Sequence, residues 1–256
     1  MDSSLEELLA DVAAGRSSAS DAADRLRLFG YSAVGDFARL DVSRAARKGV
    51  PEVVFAEGKT TEQLLAIVAR FLEHGPIVLC SRVSSEQAEA LTDRFPGEVD
   101  HDERSRVVAV RREGAPPPQE CGAVGILAAG TSDVAVAGEA AAMCRAMGVA
   151  VVTAYDVGVA GLHRLAVPLE EMRVAGAAAL VVAAGMEGAL PSVVAGLVDV
   201  PVIGLPTSTG YGLGGRGEAA LLGMLQSCSP GLVVVNVDNG IGAGATAGLI
   251  ARPASA

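Results

Sequence analysis

The sequence predicts an α/β protein in which a C-terminal parallel three-layer sandwich follows a smaller α/β domain. Strands that are apolar on both faces and alternate with helices indicate a parallel sheet covered by helices on each side. The chain is 50% hydrophobic but only 3% aromatic, so small aliphatic side chains must fill the core between closely packed layers. The short Val-, Ile-, Leu- and Ala-rich runs of the C-terminal part occur at 123–128, 149–154, 179–184, 201–206 and 232–237.

The N-terminal part shows a less regular pattern. Amphipathic spacing predicts a helix over 3–14 and a second one from about 20 to 29, an arm that packs on the domain or on a partner subunit. The run EGAPPPQE at 113–120 predicts a stiff linker, which divides the chain into domains 1–115 and 116–256. Between arm and linker we expect strand Glu52–Phe55, helix Thr61–His74, strand Pro76–Val83, helix Ser84–Phe95 and strand Arg106–Arg111.

Charge and composition exclude several classes of protein. The formal net charge of −10 argues against nucleic-acid binding, which needs a basic face. The apolar stretches are interrupted before they reach the ~20 residues of a membrane span, and the acidic N-terminus does not resemble a signal peptide. The cysteines at 80, 121, 144 and 228 lack the paired spacing of a disulfide framework or zinc site. We therefore expect a cytoplasmic protein with no membrane or nucleic-acid partner.

The turns after the predicted strands are the candidate ligand sites, because ligands of parallel sheets bind at the carboxyl ends of the strands. The first turn, Gly130, Thr131, Ser132 and Asp133, opens a helix, and a helix N-terminus with small residues ahead of it binds anions. The alternative is that Ser132 or Asp133 only caps the helix.

The second and third turns carry ionisable side chains. Asp156, His163 and Arg164 lie near one strand end, although a lone histidine is more often a surface or core residue. Glu187 follows a wholly apolar strand in a segment with Gly185 and Gly188. A carboxylate has no packing reason to be there, which makes Glu187 a candidate general acid or base.

The last two turns are rich in glycine. The loop at 210–217, with Gly210 and Gly212, is suited to fold over a phosphate or a flat ring, unless it is a mobile loop with no catalytic role. The turn at 236–248, which contains Asn239, opens the last helix. It does not match a Rossmann fingerprint, because it closes the chain instead of following the first strand.

Cys228 is the candidate reactive thiol. It lies in the polar segment QSCSPG, where a thiolate could form. Cys80 lies in an apolar strand and Cys144 on an Ala- and Met-rich helix face, so both are interpreted as core residues.

Several motifs resemble known families. GTSD at 130–133 and GMEGALPSVVAG at 185–196 resemble the phosphoribosylaminoimidazole carboxylase/mutase (PurE-like) family, but the histidine of that family falls on Ala189 and its Ser-Ala-His-Arg motif is replaced by DVGVAGLHR. The LarB family is more similar. The matching segments are LDVSRAARKGVPEVVFAEGKTTEQ at 40–63, GILAAGTSD, YDVGVAGLHR, MEGALPSVVAGL and QSCSPGLVVVNVDNGIGAG at 226–244.

The LarB resemblance implies an enzyme of nickel-pincer nucleotide biosynthesis, which makes the cofactor of lactate racemase. Its substrates would be nicotinic acid adenine dinucleotide and bicarbonate or carbon dioxide, and its products pyridinium-3,5-biscarboxylic acid mononucleotide and AMP. Cys228 would be the nucleophile, Glu187 would move a proton, and Asp133 would be a third catalytic residue. Magnesium is expected, with Asp133 and Asp238 as the first carboxylates to consider, and no tightly bound organic cofactor is expected.

The same resemblance implies how the substrate is bound. The turn at 130–133 and the loop at 210–217 would hold ribose phosphate and pyrophosphate, and Lys59 and Arg82 would reach the anionic half of the dinucleotide. Asp156, Gly185, Gly188 and Asn239 complete the expected site. A homo-oligomer is expected, because the Ala-rich helices would leave apolar surface exposed in a single copy. Two alternatives stay open: a carboxylase or mutase of a purine precursor, and a non-catalytic dinucleotide-binding module.

Overall fold

The computed structural model describes residues 9–22, 31–97 and 99–252, and it confirms the α/β architecture. Of the predicted helix over 3–14, residues 9–13 are helical and residues 1–8 lie outside the described part. Residues 19–22 are helical, and the rest of the predicted second helix also lies outside it. Among the described residues, no helix is long and apolar enough to cross a membrane.

The N-terminal domain contains a mixed sheet and a small hairpin. Its elements are β1 Ser32–Val34, β2 Ala38–Leu40, α1 Arg44–Lys48, β3 Val53–Phe55, α2 Thr61–His74, β4 Ile77–Ser81, α3 Ser85–Arg94, β5 Val99–Asp102 and β6 Val107–Arg111. The mixed sheet has the order β3-β4-β6-β5, with β3 and β4 parallel and the other pairs antiparallel. The hairpin pairs β1 with β2.

Side-chain capping fixes where α2 and α3 begin. Thr60 accepts a hydrogen bond from the Gln63 backbone N–H, and the Gln63 side chain accepts one from the Thr60 N–H. Ser84 and Gln87 form the same reciprocal pair at α3. Each pair satisfies two backbone donors that the first turn of a helix leaves unbonded.

The C-terminal domain is a parallel sheet with helices on both faces. Its strands lie in the order β11-β10-β9-β7-β8, and every neighbouring pair is parallel. Short 3-10 segments at Thr131–Asp133 and Val159–Leu165 precede α4 and α5. The elements are β7 Ala123–Ala128, α4 Val134–Ala146, β8 Ala150–Tyr155, α5 Ala166–Val174, β9 Ala177–Ala184, α6 Leu190–Ala195, β10 Val202–Pro206, α7 Glu218–Leu225, β11 Leu232–Val234 and α8 Gly240–Ala251.

Helix α4 is shared by the cores of the two domains. On one side it contacts β4 and β6 of the N-terminal sheet, and on the other it packs on α8 and the parallel sheet. Leu79 and Val107 therefore join Ala137 and Met143 in one buried cluster. The approach of α8 to α4 is so close that a Cβ on Gly244 would lie 2.4 Å from the Ala140 carbonyl oxygen.

This contact predicts that Gly244→Ala lowers the free energy of unfolding by about 1–3 kcal/mol, the usual cost of overpacking. The added methyl group meets backbone, which cannot rotate away. Gly196→Ala is the matched control, because a Cβ at Gly196 meets nothing closer than 3.5 Å. Chemical denaturation of the three proteins measures the effect, and equal stability of Gly244→Ala and wild type would contradict the assigned packing.

Candidate active site

The turns at the carboxyl ends of the parallel strands are bonded to one another along one edge of the sheet. We call this edge the carboxyl rim and define it as residues 129–133, 156–158, 185–188, 207–210 and 236–239. The Met186 N–H donates to the Thr209 carbonyl over 2.9 Å, and the Asp238 N–H donates to the Pro206 carbonyl over 2.9 Å. The rim is therefore a continuous surface built from five predicted turns.

Asp133 holds the first turn of the rim in place. Its carboxylate accepts a hydrogen bond from the Gly130 N–H (2.9 Å) and another from the Thr207 hydroxyl (2.6 Å). Both Asp133 and Thr207 are buried, so these bonds replace the water that the carboxylate loses on folding. Asp133 thus positions the turn, and the exposed polar side chains there are Thr131 and Ser132.

Two glycines allow the third turn to lie against its neighbours. A Cβ on Gly185 would lie 2.1 Å from the Thr209 carbonyl oxygen. Gly188 has a φ of 65°, and a Cβ there would lie 2.5 Å from the Ala220 carbonyl oxygen. Neither position can carry a side chain, and the turn presents the exposed Glu187 at the rim.

Arg164 organises the second turn. Its guanidinium donates to the carbonyl oxygens of Asp156, Gly158 and Gly161. It also forms an ion pair with the Asp156 carboxylate, with a separation of 3.0 Å. The exposed Asp156 side chain is therefore held at the rim by a residue further along the chain, whereas His163 is exposed beyond it.

The remaining predicted binding residues have distinct surroundings. Lys59 donates to the Phe55 carbonyl over 2.7 Å within the N-terminal domain. Asn239 is the N-cap of α8, and its side chain accepts a hydrogen bond from the Gly242 N–H over 2.9 Å. Gly210 and Gly212 lie in the exposed glycine-rich loop. Arg82 spans the two domains, donating to the Asp238 carbonyl over 3.2 Å.

Cys228 is exposed, in contrast to the cysteines of the core. Burial raises the pKa of Cys80 and of Cys144 to about 12, which keeps both thiols protonated and unreactive at neutral pH. The Cys228 loop is fixed to α6, since the Ser192 hydroxyl donates to Ser227 and the Ser229 hydroxyl donates to the Ser192 carbonyl, both over 2.8 Å. The loop leads into the amino end of β11.

The residues of the rim do not fit a magnesium site of their own. Magnesium requires several oxygen ligands in octahedral geometry. Both oxygens of Asp133 are already bonded to protein donors, and Asp238 accepts a hydrogen bond from the Ser208 N–H over 2.8 Å. Within 9–22, 31–97 and 99–252, no three His, Cys, Asp or Glu side chains come together as metal ligands.

Glu139 is a buried carboxylate that the sequence reasoning missed. It lies in α4, is 6% exposed, and accepts hydrogen bonds from the backbone N–H groups of Ile241 and Gly240. Burial raises its pKa to about 7, an effect that Arg82 opposes and Asp238 reinforces. The available signal was a single glutamate in an Ala-rich helix.

Comparisons with known proteins agree with this architecture. Residues 31–112 match the family model of the LarB/PurE-like N-terminal domain, and residues 123–255 match that of AIR carboxylase. The chain belongs to the LarB family. An uncharacterized protein of Methanocaldococcus jannaschii is 40% identical over 258 residues, covering 98% of each chain. The predicted resemblance to LarB with a PurE-like C-terminal domain is confirmed, and the protein is a LarB/PurE-family carboxylase-type enzyme.

The raised pKa of Glu139 predicts a pH-dependent stability. Because the folded state ionises this carboxyl only near pH 7, its contribution to stability is fully present below about 4.5 and is lost as the pH rises through 7. Glu139→Gln cannot ionise. Between pH 5 and 8 its free energy of unfolding should therefore rise relative to that of wild type, by up to about 3 kcal/mol. Denaturation across this range measures the difference, with Glu73→Gln as an exposed control. Parallel stability curves for wild type and Glu139→Gln would contradict the prediction.

Proposed function

We propose that the protein carboxylates the pyridinium ring of nicotinic acid adenine dinucleotide. It then hydrolyses the phosphoanhydride with one water molecule, giving pyridinium-3,5-biscarboxylic acid mononucleotide and AMP for nickel-pincer cofactor biosynthesis. The observation that carries the proposal is an exposed thiol, Cys228, on a chain that joins a LarB-type N-terminal domain to an AIR carboxylase domain. An aminoimidazole is already an enamine and needs no thiolate, whereas a pyridinium ring cannot attack carbon dioxide without one.

The chemistry balances without an oxidant or a reductant. The Cys228 thiolate adds to ring carbon 4, and the ring nitrogen takes up the displaced electron pair, which gives a neutral dihydropyridine. Carbon 5 of this enamine attacks carbon dioxide, derived from bicarbonate, and forms the new carbon–carbon bond. Loss of the carbon 5 proton and departure of the thiolate then restore the aromatic ring. One step that cannot occur directly becomes several feasible ones.

Glu187 is the group that we assign to the carbon 5 proton or to the activation of water. Its support is its exposure on a glycine-flanked turn at the carboxyl rim, beside the turn at 130–133. Thr131 and Ser132 offer hydroxyl groups to phosphate oxygens there, and the glycine-rich loop offers backbone N–H groups. The phosphates would thus be bound along the rim, with Glu187 directed at the ring.

We further propose that copies of the chain assemble so that Cys228 of one copy meets Glu187 of another. Within one chain, Cys228 lies in the loop after α7, which is bonded to Ser192 of α6, whereas Glu187 lies on the turn before α6. Leu222, Leu225 and Val233, on the elements before and after Cys228, are more than half exposed. Apolar surface of this kind favours a contact between copies.

The covalent step predicts a trapped adduct with NAD. The carboxamide ring of NAD accepts the thiolate but is a poor route to product, so a band of near-ultraviolet absorbance typical of a dihydropyridine should appear. Cys228→Ser and Cys228→Ala should show no band, because a serine hydroxyl is hardly ionised at neutral pH. Cys80→Ser and Cys144→Ser are the matched controls and should keep it. A band of equal size in Cys228→Ser would rule out this thiolate as the nucleophile.

The role of Glu187 predicts that Glu187→Gln slows turnover by roughly two to four orders of magnitude, the usual worth of a general acid or base. Binding of the dinucleotide, measured by calorimetry, should change little, because the amide keeps the size of the side chain. Glu218→Gln, an exposed carboxylate in the first turn of α7, is the control. Turnover within threefold of wild type would remove Glu187 from the mechanism.

Co-expression of Glu187→Gln with Cys228→Ser separates the two groups by copy. If one site takes Cys228 and Glu187 from different chains, about a quarter of the sites in mixed oligomers regain both groups. Product formation should then exceed that of either variant alone. Mixed oligomers no more active than the separate variants would show that both groups come from the same chain.

A further inference from the structure

Two arginines join the domains at opposite ends of α8. Arg82 follows β4 of the N-terminal sheet and lies at the start of α8, next to the carboxyl rim. Arg252 follows the last residue of α8, and its guanidinium donates to the Gly49 carbonyl of the N-terminal domain over 2.6 Å. Both arginines thus connect the two domains, but only the contact of Arg82 is at the carboxyl rim.

The Arg82 guanidinium contacts groups of both domains. It donates to the Asp238 carbonyl over 3.2 Å, and its Nε lies 3.8 Å from a carboxylate oxygen of Glu139. On the N-terminal side it lies 3.7 Å from the Glu57 carboxylate and 5.4 Å from the centre of the Phe55 ring. Such a guanidinium is oriented by its protein partners, which leaves it little freedom to follow a ligand.

Glu139 fixes the other side of this junction. It is buried in α4 and accepts the first backbone N–H groups of α8, where the partial positive charge of a helix favours a carboxylate. A Cβ on Gly240 would lie 2.2 Å from the Val136 carbonyl oxygen, so α8 begins in direct contact with α4. Arg82 and Glu139 thus hold the start of α8 from two directions.

Asp238 transmits this constraint to the rim. Its carboxylate accepts a hydrogen bond from the Ser208 N–H over 2.8 Å, just before the glycine-rich loop. Both Asp238 and Arg82 have a φ of 55°, a left-handed conformation that is uncommon for non-glycine residues. Two such residues in contact indicate a junction whose backbone is held by its contacts rather than by local preference.

We propose that Arg82 and Glu139 form a positioning pair. They hold Asp238 and the beginning of the glycine-rich loop at the carboxyl rim, and through them the N-terminal domain shapes the ligand site without contacting the ligand. The identity of the ligand as a dinucleotide rests on the proposed function, but the mechanical link does not. The charged groups that face the pair are Asp238 and Glu57; Arg106 donates to the Arg82 carbonyl.

Hydrogen–deuterium exchange of the free protein tests the mechanical link without any assumption about the reaction. In Arg82→Gln, the amides of 207–217 and 236–241 should exchange at least tenfold faster than in wild type, while those of β7 and β9 stay unchanged. Arg252→Gln is the matched control, since it removes an interdomain hydrogen bond far from the rim. Unchanged exchange in Arg82→Gln, or the same acceleration in Arg252→Gln, would overturn the proposal.

Steady-state kinetics of the carboxylation reaction can distinguish a positioning role of the pair from direct contact with the ligand. Positioning predicts that Arg82→Gln and Glu139→Gln each raise the KM for nicotinic acid adenine dinucleotide at least fivefold. The KM of the double variant should not exceed the higher KM of the two single variants, because both residues act through one junction. If only Arg82→Gln raises KM, or if the effects multiply, Arg82 contacts the ligand and the positioning role is wrong.

The exchange experiment and the kinetic experiment can fail independently of each other. If wild type makes no dicarboxylated nucleotide, the proposed function is wrong, and exchange in the free protein still decides whether the pair holds the loop. Glu139→Gln keeps the proposal testable should Arg82→Gln fail to fold, since its amide keeps the size of the side chain but removes the charge that faces Arg82. Accelerated exchange of 236–241 in Glu139→Gln supports the link, and wild-type exchange there contradicts it.

Discussion

Helix α4 packs so closely against α8 that backbone meets backbone, and the arrangement of the rest of the molecule depends on this contact. Small residues make it possible: Gly244 lies against the Ala140 carbonyl, and Gly240 lies against that of Val136. Larger side chains at either glycine would push α8 away from α4, the helix that both sheets pack against. The Ala- and Gly-rich composition is therefore a geometric requirement of the fold.

The same helix relates the core to the carboxyl rim. It begins immediately after Asp133, whose carboxylate ties the first turn to Thr207, directly after β10. Six residues after Asp133 it carries Glu139, which anchors the start of α8. Core packing, the shape of the rim and the attachment of the N-terminal domain are in this way consequences of one element, and changes in its packing should be felt at all three.

The sequence predicted the parts of the fold that periodicity controls. Every strand of the parallel sheet was found, because buried strands are continuous apolar runs, although the last run ends at Val234 and not at 237. The hairpin of β1 and β2, the helix α1 and the polar strand β5 were missed, since each is short and has no apolar pattern. The turns of the rim were predicted from strand ends, but the buried partners of Asp133 and the role of Glu139 depend on contacts between distant segments, which no local pattern reveals.

The central claim is that a thiolate turns an electrophilic ring into a nucleophile on a scaffold otherwise suited to an enamine substrate. The most direct measurement is mass spectrometry of the products from nicotinic acid adenine dinucleotide, magnesium and carbon-13 bicarbonate. Our account predicts a mononucleotide that carries one labelled carboxylate, together with AMP, from wild type and neither product from Cys228→Ser. Labelled mononucleotide from Cys228→Ser at the wild-type rate, or no label in the wild-type product, would contradict it.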